Sequence, residues 1–133
     1  MRVRFASSYV DQLFADRDLS GLHHLVSIKE RDQKLPDECW LFCRILEWIG
    51  SSRSGVWQYY ESVPNETFER VSRAFDKLGY SDIAERYRSG MISWDGPDRA
   101  RSLDQWMFAH EDAVRDAAFD MIKLHQEILR YDA

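Results

Sequence analysis

Residues 36–49 read PDECWLFCRILEWI, and this stretch decides the fold. Pro36 suits the first turn of a helix, because proline lacks only an N–H that would be unpaired there, and Asp37 and Glu38 favour the positive helix end. Trp40, Leu41, Cys43, Ile45, Leu46, Trp48 and Ile49 then cover more than one apolar stripe. A helix apolar over so much of its circumference belongs at the centre of a core.

The segments around it carry single stripes. Upstream, Ser7 or Ser8 caps a helix running to about Ala15, with Phe5, Val10, Leu13 and Phe14 inward, and a second runs from Leu22 to about Arg31 with Leu22, Leu25, Val26 and Ile28 inward. Downstream, Gly50 and the run from Ser51 to Gly55 break the pattern before a short aromatic segment, Val56 to Tyr60. Pro64-Asn65-Glu66 opens a helix that buries Phe68, Val71, Ala74, Phe75 and Leu78 and stops at Gly79. Ser81 caps the next, with Ile83, Ala84 and Tyr87 inward and Gly90 as its stop, and Trp94-Asp95-Gly96-Pro97 is turn chemistry. Two last helices are expected at about 99–108 and 111–130, the second burying Val114, Ala117, Ala118, Met121, Ile122, Leu124, Ile128 and Leu129. No stretch alternates with strand period, so the expected fold is all-α: one compact domain over residues 1–133 with about seven or eight helices.

The totals agree with that and narrow the function. At 133 residues the chain buries roughly two thirds of its unfolded surface, so it needs no metal or disulfide to hold a core. Cys39 and Cys43, four apart on one helix, read as buried thiols rather than a bridge. No apolar run approaches the ~20 residues that span a bilayer, and the N-terminal residues lack the apolar stretch of a secretory signal, so a cytoplasmic location is expected. Eighteen basic against 23 acidic residues give a net charge of -5, which argues against direct nucleic-acid binding through a basic surface. Residues 1–60 carry eight charges of each sign, whereas residues 61–133 carry ten basic and 15 acidic, so the whole acidic excess lies in the second half.

Around the aromatic segment, Ser54-Gly55-Val56-Trp57-Gln58-Tyr59-Tyr60-Glu61-Ser62 resembles the hallmark of the bacterial DNA-mimic protein family, usually written Asn-Gly-Gly-Phe-x-Gln-Tyr-Phe-x-Asn. Gly55 matches the second glycine, Gln58 and Tyr59 match directly, and Tyr60 replaces phenylalanine. Arg53 and Ser54 depart from the family's Asn and Gly, and Val56-Trp57 shifts its Gly-Phe register by one. Downstream, Ala74 to Gly79 is similar to the family's Ala-Leu-x-x-Ile-Gly helix end, and Leu103 to Phe108 to its Leu-Asp-x-x-Phe-Tyr, so the likeness covers about residues 36–130. The resemblance implies an all-helical domain that is not an enzyme and an acidic surface that meets a DNA-binding protein. It also makes a homodimer an expectation.

Two sets of residues are candidates for a site. Asp112, Asp116 and Asp120, with Glu111 beside them, form an acidic ridge on the last helix, with a step of about 6 Å against about 3.4 Å for the charges of one DNA strand. This ridge is either a partner-binding surface or a solvated helix face. Gly55, Trp57, Gln58, Tyr59 and Tyr60 are either a binding surface or the piece that packs a tight connection against the central helix, with the Gln58 amide expected to satisfy backbone groups of the preceding loop. Catalysis, metals and cofactors find no support. His23, His24, His110 and His125 are scattered without a nucleophile, Cys39 and Cys43 match no usual zinc-ligand spacing, and Gly50 to Gly55 lacks the ending of a phosphate loop. The expected function is therefore a protein-binding module, with no enzymatic activity and no cofactor. It is either an acidic DNA mimic that sequesters a basic DNA-binding regulator, or an immunity or accessory protein that neutralises a toxin through a shape-based aromatic interface.

Overall fold

The structure, a computed structural model, describes residues 5–53, 55–93 and 96–130. Among them the chain forms eight helices and no strand: α1 (Ser7–Ala15), α2 (Leu19–Asp32), α3 (Asp37–Ser51), α4 (Trp57–Ser62), α5 (Asn65–Lys77), α6 (Ser81–Ser93), α7 (Pro97–Lys123) and α8 (Gln126–Leu129). The all-α expectation holds. α3 is the hub, touching α2, α4, α5 and α7, and its buried residues include Cys39, Leu41, Phe42, Cys43, Ile45, Trp48 and Ile49. Both cysteines are free thiols. The described core residues of all eight helices join one continuous cluster.

Local chemistry sets most boundaries. Asp18 accepts a 2.9 Å hydrogen bond from the Gly21 N–H, so α2 begins one turn earlier than its apolar stripe suggests. α5 ends at Gly79, as expected, in a Schellman motif: the Tyr80 N–H reaches the Phe75 carbonyl at 2.8 Å while Gly79 takes φ +85°. Ser7 and Ser81 are not caps but the first residues of their helices, and α1 begins after Ala6 with no side-chain cap. At the termini, the Phe5 N–H donates to the Leu129 carbonyl at 3.2 Å, the only bridge-type pairing among the described residues.

Four further expectations are corrected. Gly90 does not end α6, which continues to Ser93; it is glycine because a Cβ there would fall inside the Tyr60 ring. Gly50 likewise lies inside α3, which ends at Ser51 within the expected run, and in that run Gly55 takes a φ of +136° that a side chain would strain. The two last helices are one helix of 27 residues, α7, because Ala109 and His110 contain nothing that breaks a helix. The real break falls at Leu124 and His125, where the chain turns so that Leu129 is buried beside α1 and α2; Leu124, expected inside, is 67% exposed. Trp94 and Asp95 of the expected turn, and Ser54 of the aromatic motif, lie outside the described residues.

The glycines make a paired test. Gly90→Ala forces the Tyr60 ring to move and should cost about 1–3 kcal/mol of stability, the range for overpacking a filled core. Gly50→Ala meets nothing within 4 Å and should stabilise the fold by up to about 0.5–1 kcal/mol through helix propensity. Chemical denaturation of both variants checks the opposite signs.

Candidate functional site

The aromatic motif divides between core and surface. Tyr59 and Tyr60 are buried with Trp48 and Phe75, around Tyr87 of α6. The Tyr59 and Tyr87 hydroxyl oxygens lie 2.5 Å apart, and the Tyr60 hydroxyl donates to the Tyr87 backbone carbonyl at 2.7 Å. Buried tyrosines need such partners, so these two residues are architecture. Trp57 points the other way and is 45% exposed, its ring lying over Gly55, where a Cβ would come within 2.7 Å of it.

Gln58 does not do what its position suggests. Its amide makes no hydrogen bond among the described residues, and the loop is held instead by Asp104 of α7, which accepts the Val56 N–H at 2.8 Å, and by the Gly55 N–H donating to the Ser52 carbonyl at 3.0 Å. A short carboxylate from a distant helix satisfies an N–H as well as a neighbouring amide would, and sequence spacing cannot reveal it.

The ridge residues are where expected, on the outer face of α7, but not equally free. Asp112, Asp116 and Asp120 are exposed and Glu111 is half-buried. Asp116 is paired with Arg17 at 2.5 Å, and Arg17 also lays its guanidinium over the Phe119 ring at 4.3 Å. Glu111 pairs with Arg115 at 3.2 Å. Asp112 and Asp120 have no ion pair among the described residues.

The residue missed in the sequence is Phe108. It sits four positions before Asp112 on the same line of α7, and it is 91% exposed. Continuing the ridge one step toward the N-terminus would have found it; the false helix break at 109–110 hid it. Beside it runs a groove of about 680 Å³ lined by Ile49, Ser52, Gly55, Met107, Phe108 and Asp112 among others. The structure thus brings Gly55 of the motif, Asp112 of the ridge and Phe108 to the lining of one groove.

The remaining titratable groups are inert or scattered. Burial pushes the Cys39 and Cys43 thiols up to about 12, and the carboxylates of Glu38 and Glu30 respectively push in the same direction. His110 stacks on Trp106 at 4.8 Å, and His125 faces Glu38 at 3.4 Å. No three His, Cys, Asp or Glu side chains among the described residues come close enough to hold a metal ion, and no described helix is long and apolar enough to cross a membrane.

Burial raises Tyr59 to about 12 from 10.0, partly offset by its bond to Tyr87, and raises Tyr60 and Tyr87 further. The folded state therefore holds these protons, and those of both cysteines, more tightly than the unfolded chain does. This stability is fully present below about pH 9, where the unfolded thiols begin to titrate from 9.0, and is lost as pH rises toward about 12. Denaturation midpoints should be flat up to pH about 9 and fall steeply above pH 10. Tyr59→Phe, which leaves the Tyr87 hydroxyl unpaired, should cost about 1–3 kcal/mol at neutral pH. Comparison with known protein families, with curated proteins and with solved structures finds no match to this chain.

Proposed function

We propose that the chain is a non-enzymatic protein-binding module that presents the outer line of α7 to a basic protein partner. The observation that carries this reading is Phe108. A phenylalanine left almost fully in water forgoes about 1.5–3 kcal/mol of burial free energy, and it stands at the edge of the groove at the head of the acidic ridge. Interface energy concentrates in a few aromatic anchors of this kind, surrounded by polar contacts that exclude water. Asp112 and Asp120 supply charge that a basic partner would complement, speeding encounter and setting register.

The partner classes that fit are a DNA-binding regulator and a toxin that attacks nucleic acid, both basic. One observation favours recognition by shape over imitation of a phosphate backbone: Arg17 already holds Asp116 and Arg115 holds Glu111, so half of the four ridge carboxylates are engaged within the molecule. What remains is sparser than a DNA strand.

The test is capture of partners from the native lysate by the tagged protein, with mass spectrometry of fractions washed at low and high salt. Phe108→Ala should reduce capture of the principal partner about tenfold or more at both salt concentrations. Reversal of Asp112 and Asp120 to lysine should weaken it at low salt, where the Debye length is about 10 Å, and have little effect near 1 M, where it is about 3 Å. Capture that Phe108→Ala leaves unchanged would sink the proposal.

A further inference from the structure

A second cleft, of about 290 Å³, opens between the start of α2, the end of α3 and the middle of α7, and its lining is basic although the chain is acidic. Its residues include Ser20 and His23 from α2, Arg53 from the turn after α3, and Arg115 from α7, with Leu19 and Leu46 as apolar wall. We infer that this cleft is a binding site for a phosphate group carried on a small organic molecule, gripped by Arg53, Arg115 and His23 at the N-terminus of α2.

Four of the five polar residues that line the cleft can meet an anion once their existing partners are counted. Arg53 makes no ion pair or hydrogen bond among the described residues. Arg115 uses its Nε for Glu111, which leaves its two terminal amino groups for a ligand. His23 lines the cleft, and its covered Nε2 has no hydrogen-bond partner among the described residues, a condition that buried polar atoms rarely keep. Asp18 caps the Gly21 N–H, but the Ser20 N–H in the first turn has no acceptor among the described residues and lies at the positive end of the helix. The carboxylate in the lining, Glu47, is occupied by Arg44 at 2.6 Å, with Glu30 on the same guanidinium at 2.9 Å. Two arginine forks, a ring nitrogen and a free backbone N–H match the several acceptor oxygens of a phosphate monoester better than the two of a carboxylate.

Size limits what the phosphate is attached to. Small-molecule sites run from about 300 to 1,000 Å³, so a cleft at the foot of that range suits a phosphate with a short carbon chain against Leu19 and Leu46, and not a dinucleotide. A polymer is disfavoured by the net charge of -5 around it.

Titration of the isotope-labelled full chain with inorganic phosphate and then with ethyl phosphate, followed by NMR, tests the site. Saturable shifts should appear at the Ser20 amide, the His23 ring and the Arg115 Nε, with dissociation constants near 1 mM and ethyl phosphate the tighter of the two. Arg53→Ala, a change at an exposed side chain, should weaken binding about tenfold. His23→Ala should weaken it less, and Arg115→Lys should fall between. Shifts that never saturate, or that survive Arg53→Ala unchanged, overturn the site. So does a short single-stranded oligonucleotide that binds more tightly than ethyl phosphate, which would assign the cleft to nucleic acid. Phe108→Ala should leave phosphate binding unaltered, so the outcome is independent of the partner face.

Discussion

Tyr87 is completely buried, yet it carries a hydroxyl, and satisfying that one group organises the middle of the molecule. Leaving a buried hydroxyl unpaired costs about 1–3 kcal/mol, a large fraction of the stability of a domain this size. The Tyr59 hydroxyl meets it, which requires α4 to lie against α6, and the Tyr60 hydroxyl beside it takes the Tyr87 carbonyl. Trp48 of α3 meets the Tyr87 ring edge-on at 5.1 Å, and Phe68 of α5 stacks on it at 5.2 Å. One side chain thus ties α3, α4, α5 and α6 together. Its close neighbour Gly90 shows how tightly, because the Tyr60 ring occupies the space where any side chain would begin.

The same packing explains why the motif around Gly55 faces both ways. α4 is only six residues long and cannot hide three aromatic side chains, so Tyr59 and Tyr60 go inward and Trp57 stays out over Gly55. The loop before it would still swing without a tether, and Asp104 supplies one by taking the Val56 N–H. That bond joins α7 to the start of α4, and Gly55 and Asp104 both line the groove beside Phe108. Core chemistry on one side of the segment places a surface feature on the other.

Periodicity revealed what depends on burial. α3, α5 and the inward residues Val71, Phe75, Val114 and Met121 follow from apolar spacing alone, because those positions face the core whatever the partner helix is. It failed where a glycine had two explanations. Gly79 ends a helix by its backbone and Gly90 admits a ring by its lack of side chain, and a glycine letter in the sequence does not tell these apart. The ridge carboxylates were legible as one face of one helix. Their Arg17 partner, 99 residues from Asp116, was not, because long-range ion pairs leave no periodic trace.

Arg17 shows how the ridge is shared between fold and surface. α1 ends in a Schellman motif in which the Asp18 N–H bonds to the Leu13 carbonyl at 2.9 Å, and Arg17 occupies the left-handed position, φ +50°, that glycine normally takes. That backbone costs roughly 1–2 kcal/mol for a residue with a Cβ. The side chain recovers about 0.5–1 kcal/mol over the Phe119 ring and a further ~0.2–1 kcal/mol in the exposed pair with Asp116, so the two contributions come close to cancelling the strain. A position with no net energetic advantage still has a geometric effect: the α1–α2 turn is latched onto α7, which sets the start of α2, with Ser20 and His23, opposite Arg115. Asp116 therefore works for the architecture of the cleft, and of the three aspartates in the ridge only Asp112 and Asp120 are left to act on what lies outside the molecule.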